Sequence, residues 1–120
     1  DLHVVELDPK VFIPAPAQGA LGLQIRESDS EMAEILKPLN HADTHHRISI
    51  ERKVLNLFQG GCQLPLGVYV EKNNEGFDLW ASMAESWEEM PKRVQLSGSF
   101  LNLASDTVEA LKKKSQPASL

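Results

Sequence analysis

The chain has 120 residues with a net charge of -5, 42% hydrophobic and 24% charged. These are the proportions of a soluble globular protein, sufficient for one ordinary domain or one small domain with a piece of another. The acidic balance argues against a nucleic-acid partner, which asks for a basic patch, and no apolar run approaches the ~20 residues of a membrane span.

The opening "DLHVVELDPK" starts on Asp1 and lacks the basic and apolar regions of a secretory signal, so a processed or excised chain is expected. In "FIPAPAQGALGLQIRE", Pro14 and Pro16 hold the backbone extended. Beyond Gly19, Leu21, Leu23 and Ile25 alternate with Gly22, Gln24 and Arg26, which predicts a half-buried strand. "SDSEMAEILKPLN" changes to helical spacing, with Met32, Ile35, Leu36 and Leu39 on one stripe. Ser28 with Glu31 makes a capping box, so the helix is expected to start there, and Pro38 ends or kinks it.

"HADTHHRISIERKVLNLFQGG" is the clearest helix. Asp43 or Thr44 is the expected cap, Ile50, Val54, Leu57 and Phe58 form the apolar stripe, and Gly60 supplies a left-handed stop. Strands follow at residues 66–71, 77–83 and 93–99, the first two joined by a turn at "NNEG". "SDTVEALKKK" predicts a short last helix capped by Ser105; its lysines suit the helix dipole, and a frayed tail follows from Ser115.

The expected class is α+β: residues 40–120 form a C-terminal domain with a three-stranded antiparallel sheet covered by two helices. Residues 1–39 are a strand-helix remnant, the end of a preceding α/β domain, too small to close a core alone.

Cys62, the single cysteine, allows no internal disulfide, so a reducing, cytoplasmic setting is expected. It lies in a Gly-Gly-Cys-x-x-Pro loop, open to three readings. As a small buried hydrophobe it needs no glycines. As a turnover nucleophile it is poorly placed, because it follows a helix C-terminus whose partial negative charge disfavours a thiolate. As an attachment point, reacting once and staying bonded, it tolerates an ordinary thiol and benefits from glycines that admit a ligand. His41, His45 and His46 with Cys62 offer zinc-type donors, but the expected cap at Asp43 leaves His41 outside the helix and no second spaced pair appears. Solvated histidines are the preferred reading, and no metal site is assigned.

"ERKVLNLFQGGCQLPLGVYV" resembles the cysteine-loop signature of the hydroxymethylbilane synthase (porphobilinogen deaminase) family, through Glu51-Arg52, Gly60-Gly61-Cys62 and Pro65-Leu66-Gly67. "IPAPAQGALGLQIR", with Gln18, Gly19 and Ala20, resembles another segment of that family, and "LNHADTHHRISIER" its approach to the cysteine helix. The resemblance implies a three-domain transferase of tetrapyrrole (haem) synthesis that joins four porphobilinogen molecules head to tail with release of ammonia. It maps the thioether to a dipyrromethane cofactor onto Cys62 and makes Gln18 and Gly19 cofactor contacts in the cleft wall; Gly61 is expected to let the backbone approach the cofactor or to take a positive φ. The family's catalytic aspartate and its cleft arginines correspond to nothing in this chain, so no catalytic residue is assigned. The isolated chain is expected to be inactive and free of cofactor, with the missing N-terminal domains as partners. A rival of another class is a free-standing ligand-sensing or interaction module, separated from the first by whether an upstream reading frame encodes those domains.

Overall fold

Alternating apolar residues produce the sheet. The computed structural model describes residues 1–59 and 63–113. Within it, β1 (Leu66–Lys72), β2 (Phe77–Met83) and β3 (Lys92–Gly98) form one antiparallel sheet in the order β1-β2-β3. The register pairs Val68 with Ala81 and Ala81 with Val94. Side chains two apart share a face. Leu66, Val68 and Val70 therefore meet Phe77, Leu79 and Ala81 on one buried side. The turn between β1 and β2 is set by Asn73, whose Oδ1 accepts from the N–H groups of Glu75 (2.8 Å) and Gly76 (2.6 Å).

Three α-helices accompany the sheet: α1 (Ser30–Leu36), α2 (Ala42–Leu57) and α3 (Leu103–Lys112), with a 3₁₀ turn at Lys37–Leu39. α2 packs on β1, α3 on β2 and β3, and the two helices on each other. Ile50 and Val54 of α2 and Leu103, Ala104, Val108 and Leu111 of α3 complete the core. The α+β class and the three strands agree with the sequence to within a residue at their ends.

The helix caps do not. α1 begins at Ser30 with Asp29 as its cap, Oδ1 accepting from the Met32 N–H at 3.0 Å, so the expected Ser28 capping box does not form. α2 is capped by His41, whose Nδ1 accepts from the Thr44 N–H at 3.2 Å, in place of Asp43 or Thr44. Asp43 is drawn elsewhere: Lys72 Nζ donates to its carboxylate at 3.0 Å, and this ion pair holds its pKa below the usual 3.8. α3 starts after Asn102 and not at Ser105, whose hydroxyl donates back to the Asn102 carbonyl at 2.8 Å. After α2, Gln59 takes the left-handed conformation, φ 54. Gly60, Gly61, Cys62 and the tail expected to fray lie outside the described residues.

The first 39 residues depart most from expectation. No strand forms at residues 21–25; Leu21 is 98% and Leu23 65% exposed. The alternation is present, but among the described residues no neighbouring strand takes up its N–H and C=O groups, and a strand without a partner is not stable.

Residues 8–14 run instead against β1 and the sheet's second face. Arg93 donates to the carbonyls of Lys10 (3.0 Å) and Val11 (2.8 Å), while Lys10 Nζ lies 3.0 Å from Glu71 and 4.9 Å from the Trp80 ring centre. The Val68 N–H donates to the Pro14 carbonyl at 2.8 Å. Gly67 makes this approach possible, since a Cβ there would stand 2.6 Å from the Ile13 carbonyl oxygen.

Candidate functional site

The outer edge of β1 is where the two parts of the chain meet. An edge strand presents unpaired N–H groups that need acceptors. Here Leu66 donates to the Leu64 carbonyl at 2.7 Å, Val68 to Pro14, and Val70 to Glu51 Oε1 at 3.0 Å. The other oxygen of Glu51 accepts from the Ala17 N–H at 2.7 Å. Glu51 is 7% exposed, so one buried carboxylate on α2 bonds both β1 and the turn that carries Gln18 and Gly19. Burial is the main influence on this carboxyl and raises its pKa above the usual 4.5, against the opposing pull of the two N–H donors and Arg47.

The turn itself is tightly wound. Gln18 N–H donates to Ala15 and Ala20 N–H to Ala17, both at 3.1 Å. Ala17 has φ 60 and Gly19 φ 77. Glycine adopts this conformation freely, whereas alanine does so at a cost of order 1 kcal/mol. The sequence pointed to Gly19, gave Glu51 only as part of a family signature with no role, and missed Ala17. A partial signal for Glu51 was its place beside Ile50 on the apolar stripe of α2, where a buried carboxylate requires a partner.

Gln18 and Gly19 line a cleft of about 340 Å³ together with Thr44, Arg47, Glu51 and Tyr69. Arg47 donates to the Thr44 hydroxyl at 3.4 Å, and the Tyr69 hydroxyl donates to Glu71 at 2.9 Å. Burial, then this bond to Glu71, raises the tyrosine's pKa above 10.0. A larger groove of about 630 Å³ lies between residues 20–25, α1 and the first half of α2, with His41, His45 and Arg52 on its wall. Among the described residues no three His, Cys, Asp or Glu side chains gather as a metal site. His41 serves as a cap, and the His46 ring meets Phe100 edge-on at 5.7 Å. The structure thus brings Gln18 and Gly19 to one cleft, while Gly61 and Cys62 fall outside the described residues, between Gln59 at the end of α2 and Gln63 before β1.

Fold and cleft define an α+β domain whose sheet edge is closed by a turn from the preceding segment. The sequence is 44% identical over 70 residues to a porphobilinogen deaminase of Gloeobacter violaceus, covering 58% of this chain and 21% of that protein. It is 48% identical over 61 residues to that of Syntrophobacter fumaroxidans (51% of this chain, 20% of the relative) and 34% identical over 104 residues to that of Chlorobium luteolum (87% and 33%). No protein-family model matches the chain. The chain is thus similar to porphobilinogen deaminases over most of its own length, and it spans between a fifth and a third of the length of these relatives.

Proposed function

We propose that this chain is the C-terminal portion of a hydroxymethylbilane synthase, a transferase that condenses four porphobilinogen molecules into hydroxymethylbilane with release of ammonia. Its role there is to supply Cys62, the thioether anchor of a dipyrromethane cofactor. The observation that carries the reading is the likeness to porphobilinogen deaminases at 34% identity over 87% of the chain. Residues 1–39 then belong to the end of domain 2 and residues 40–120 to domain 3, and the setting is cytoplasmic.

The polar lining of the cleft supports a cofactor of this kind, with the Glu51 carboxylate there already engaged by two backbone N–H groups. Pyrrole units carry acetate and propionate arms, and the cleft beside Gln18 and Gly19 offers the Arg47 guanidinium and the glutamine amide to carboxylates. When bound, the dipyrromethane supplies the primer onto which pyrrole units are added. The protein's share is to hold it, through Cys62 with Gln18, Gly19 and Gly61. A growing chain of such units needs more cations than this chain provides. Its arginines are Arg26, Arg47, Arg52 and Arg93 within a net charge of -5, and Arg93 is already spent on the carbonyls of Lys10 and Val11. The remaining cations, and the catalytic carboxylate, come from the N-terminal domains of the full-length protein.

Intact mass measurement tests this. The full-length protein should carry an increment of two pyrrole units, Cys62→Ser should abolish or severely slow its acquisition, and the 120-residue chain alone should carry none. An active full-length protein without the increment would overturn the anchor role. The increment on the isolated chain would overturn the need for upstream cations.

A further inference from the structure

Glu51 has a bonding pattern that packing alone does not require. It sits on α2, the helix that leads toward the Gly60-Gly61-Cys62 stretch, and is 7% exposed. It gives one oxygen to the Val70 N–H of β1, the strand that follows the cysteine, at 3.0 Å. It gives the other to the Ala17 N–H at 2.7 Å. A single carboxylate therefore joins the element before Cys62, the element after it, and the turn carrying Gln18 and Gly19. Among the described residues it is the one side chain outside that turn that bonds its backbone.

The turn needs such a partner. Ala17 stands at φ 60 without glycine's freedom, so its conformation persists only while the surroundings hold it. The two N–H donors reach different oxygens of the side chain. A carboxylate accepts at both positions, whereas a carboxamide in the same place turns its NH₂ toward one of the donors. Aspartate, a methylene shorter, cannot span to both.

We infer that Glu51 is a positioning residue, which ties the Gln18–Gly19 turn, the proposed cofactor wall, to α2 and β1, the two elements that flank Cys62 in the sequence. This rests on the proposed reading of Cys62 as anchor and of Gln18 and Gly19 as cofactor contacts. Glu51 touches no reacting atom in this role and acts through the Ala17 and Val70 amides.

The test uses the full-length protein, prepared free of cofactor and then given porphobilinogen. Intact mass follows the rate of acquisition of the two-pyrrole increment, and hydrogen exchange follows the peptide containing Ala17. Glu51→Gln should slow acquisition by about tenfold, the effect of losing one buried hydrogen bond of the stronger, charge-assisted kind. It should also speed exchange at Ala17 and leave the thermal midpoint at neutral pH within a few degrees of the parent, because a buried charge is removed along with the bond. Glu51→Asp should not restore the rate. A residue with only a structural role would lose rate and thermal stability together, and that result would overturn the proposal. So would a parental acquisition rate in Glu51→Gln. If the variant does not fold, the parent still decides: Ala17 exchanging as fast as exposed Leu23 would show that the bond is not held in solution. Should Cys62→Ser still gain the increment, the anchor reading itself falls, a failure distinct from that of Glu51.

Discussion

Two stretches of this chain share one pattern and have opposite fates. "LGLQI" at residues 21–25 and "FDLWA" at residues 77–81 both place an apolar residue at every second position. Leu79 is fully buried, at 0% exposure, while Leu21 stands at 98%. No residue among the first 39 is buried, whereas the core draws Val54, Val68, Val70, Leu79, Ala81 and Ala104 from residues 54–104 at 0%. The difference is the neighbour. β2 has a strand on each side and a helix layer above it, and residues 21–25 have no paired strand among the described residues. Alternation is thus a potential for a strand, realised only where other segments take up its backbone groups and its apolar face.

The sharpest way to break this comparison is to truncate both leucines. Leu79→Ala should lower unfolding free energy by about 2–5 kcal/mol, the range for emptying a packed core site, whereas Leu21→Ala should change this chain's stability by about 0.5 kcal/mol or less. Urea unfolding of the two variants checks it, and similar losses would show that residues 21–25 are buried in solution. The division can also be cut directly. Residues 40–114 expressed alone should still unfold in one cooperative thermal step, since every core residue lies within them. A broad transition with poorly dispersed amide resonances would refute the independence of that domain.

A smaller effect is expected where the two regions touch. In Gly67→Val the new Cβ would sit 2.6 Å from the Ile13 carbonyl oxygen, and both chains are backbone at that point. The expected loss is about 1–3 kcal/mol, as for other overpacked sites, with faster hydrogen exchange at Val68, whose N–H bonds Pro14. Unchanged exchange would mean that residues 8–14 can move aside without losing the bond.

The smallest effect is a pH dependence. Burial raises the Glu51 carboxyl above its usual 4.5, so the folded state holds this proton more tightly than the unfolded chain. The group adds stability while protonated at low pH, and that contribution is lost as pH rises through its raised folded value. Relative to Glu51→Gln, the parent should therefore lose stability as pH increases from 4.5 upward. Urea midpoints over this range measure it, and parallel curves would show that the carboxyl titrates normally.

What was legible in the sequence depended on near neighbours. Apolar alternation placed β1, β2 and β3, the asparagines and glycine of "NNEG" marked their first turn, and the stripe of Ile50 and Val54 marked the buried side of α2. Each of these is decided within a few residues along the chain. The signature around Cys62 and the Gln18–Gly19 segment pointed to the family for the same reason, since a motif is a local string of residue types.

Tertiary structure decided the rest. Asp43 is a good cap by type, yet Lys72, 29 residues away, claims its carboxylate and leaves the helix start to His41. Glu51 stands in the signature with no role of its own until Ala17 and Val70, separated from it by 34 and 19 residues, bring their N–H groups to its two oxygens. Competition for a polar group is settled by whichever partners the fold brings within hydrogen-bonding distance, and that proximity is written in no short stretch of the chain.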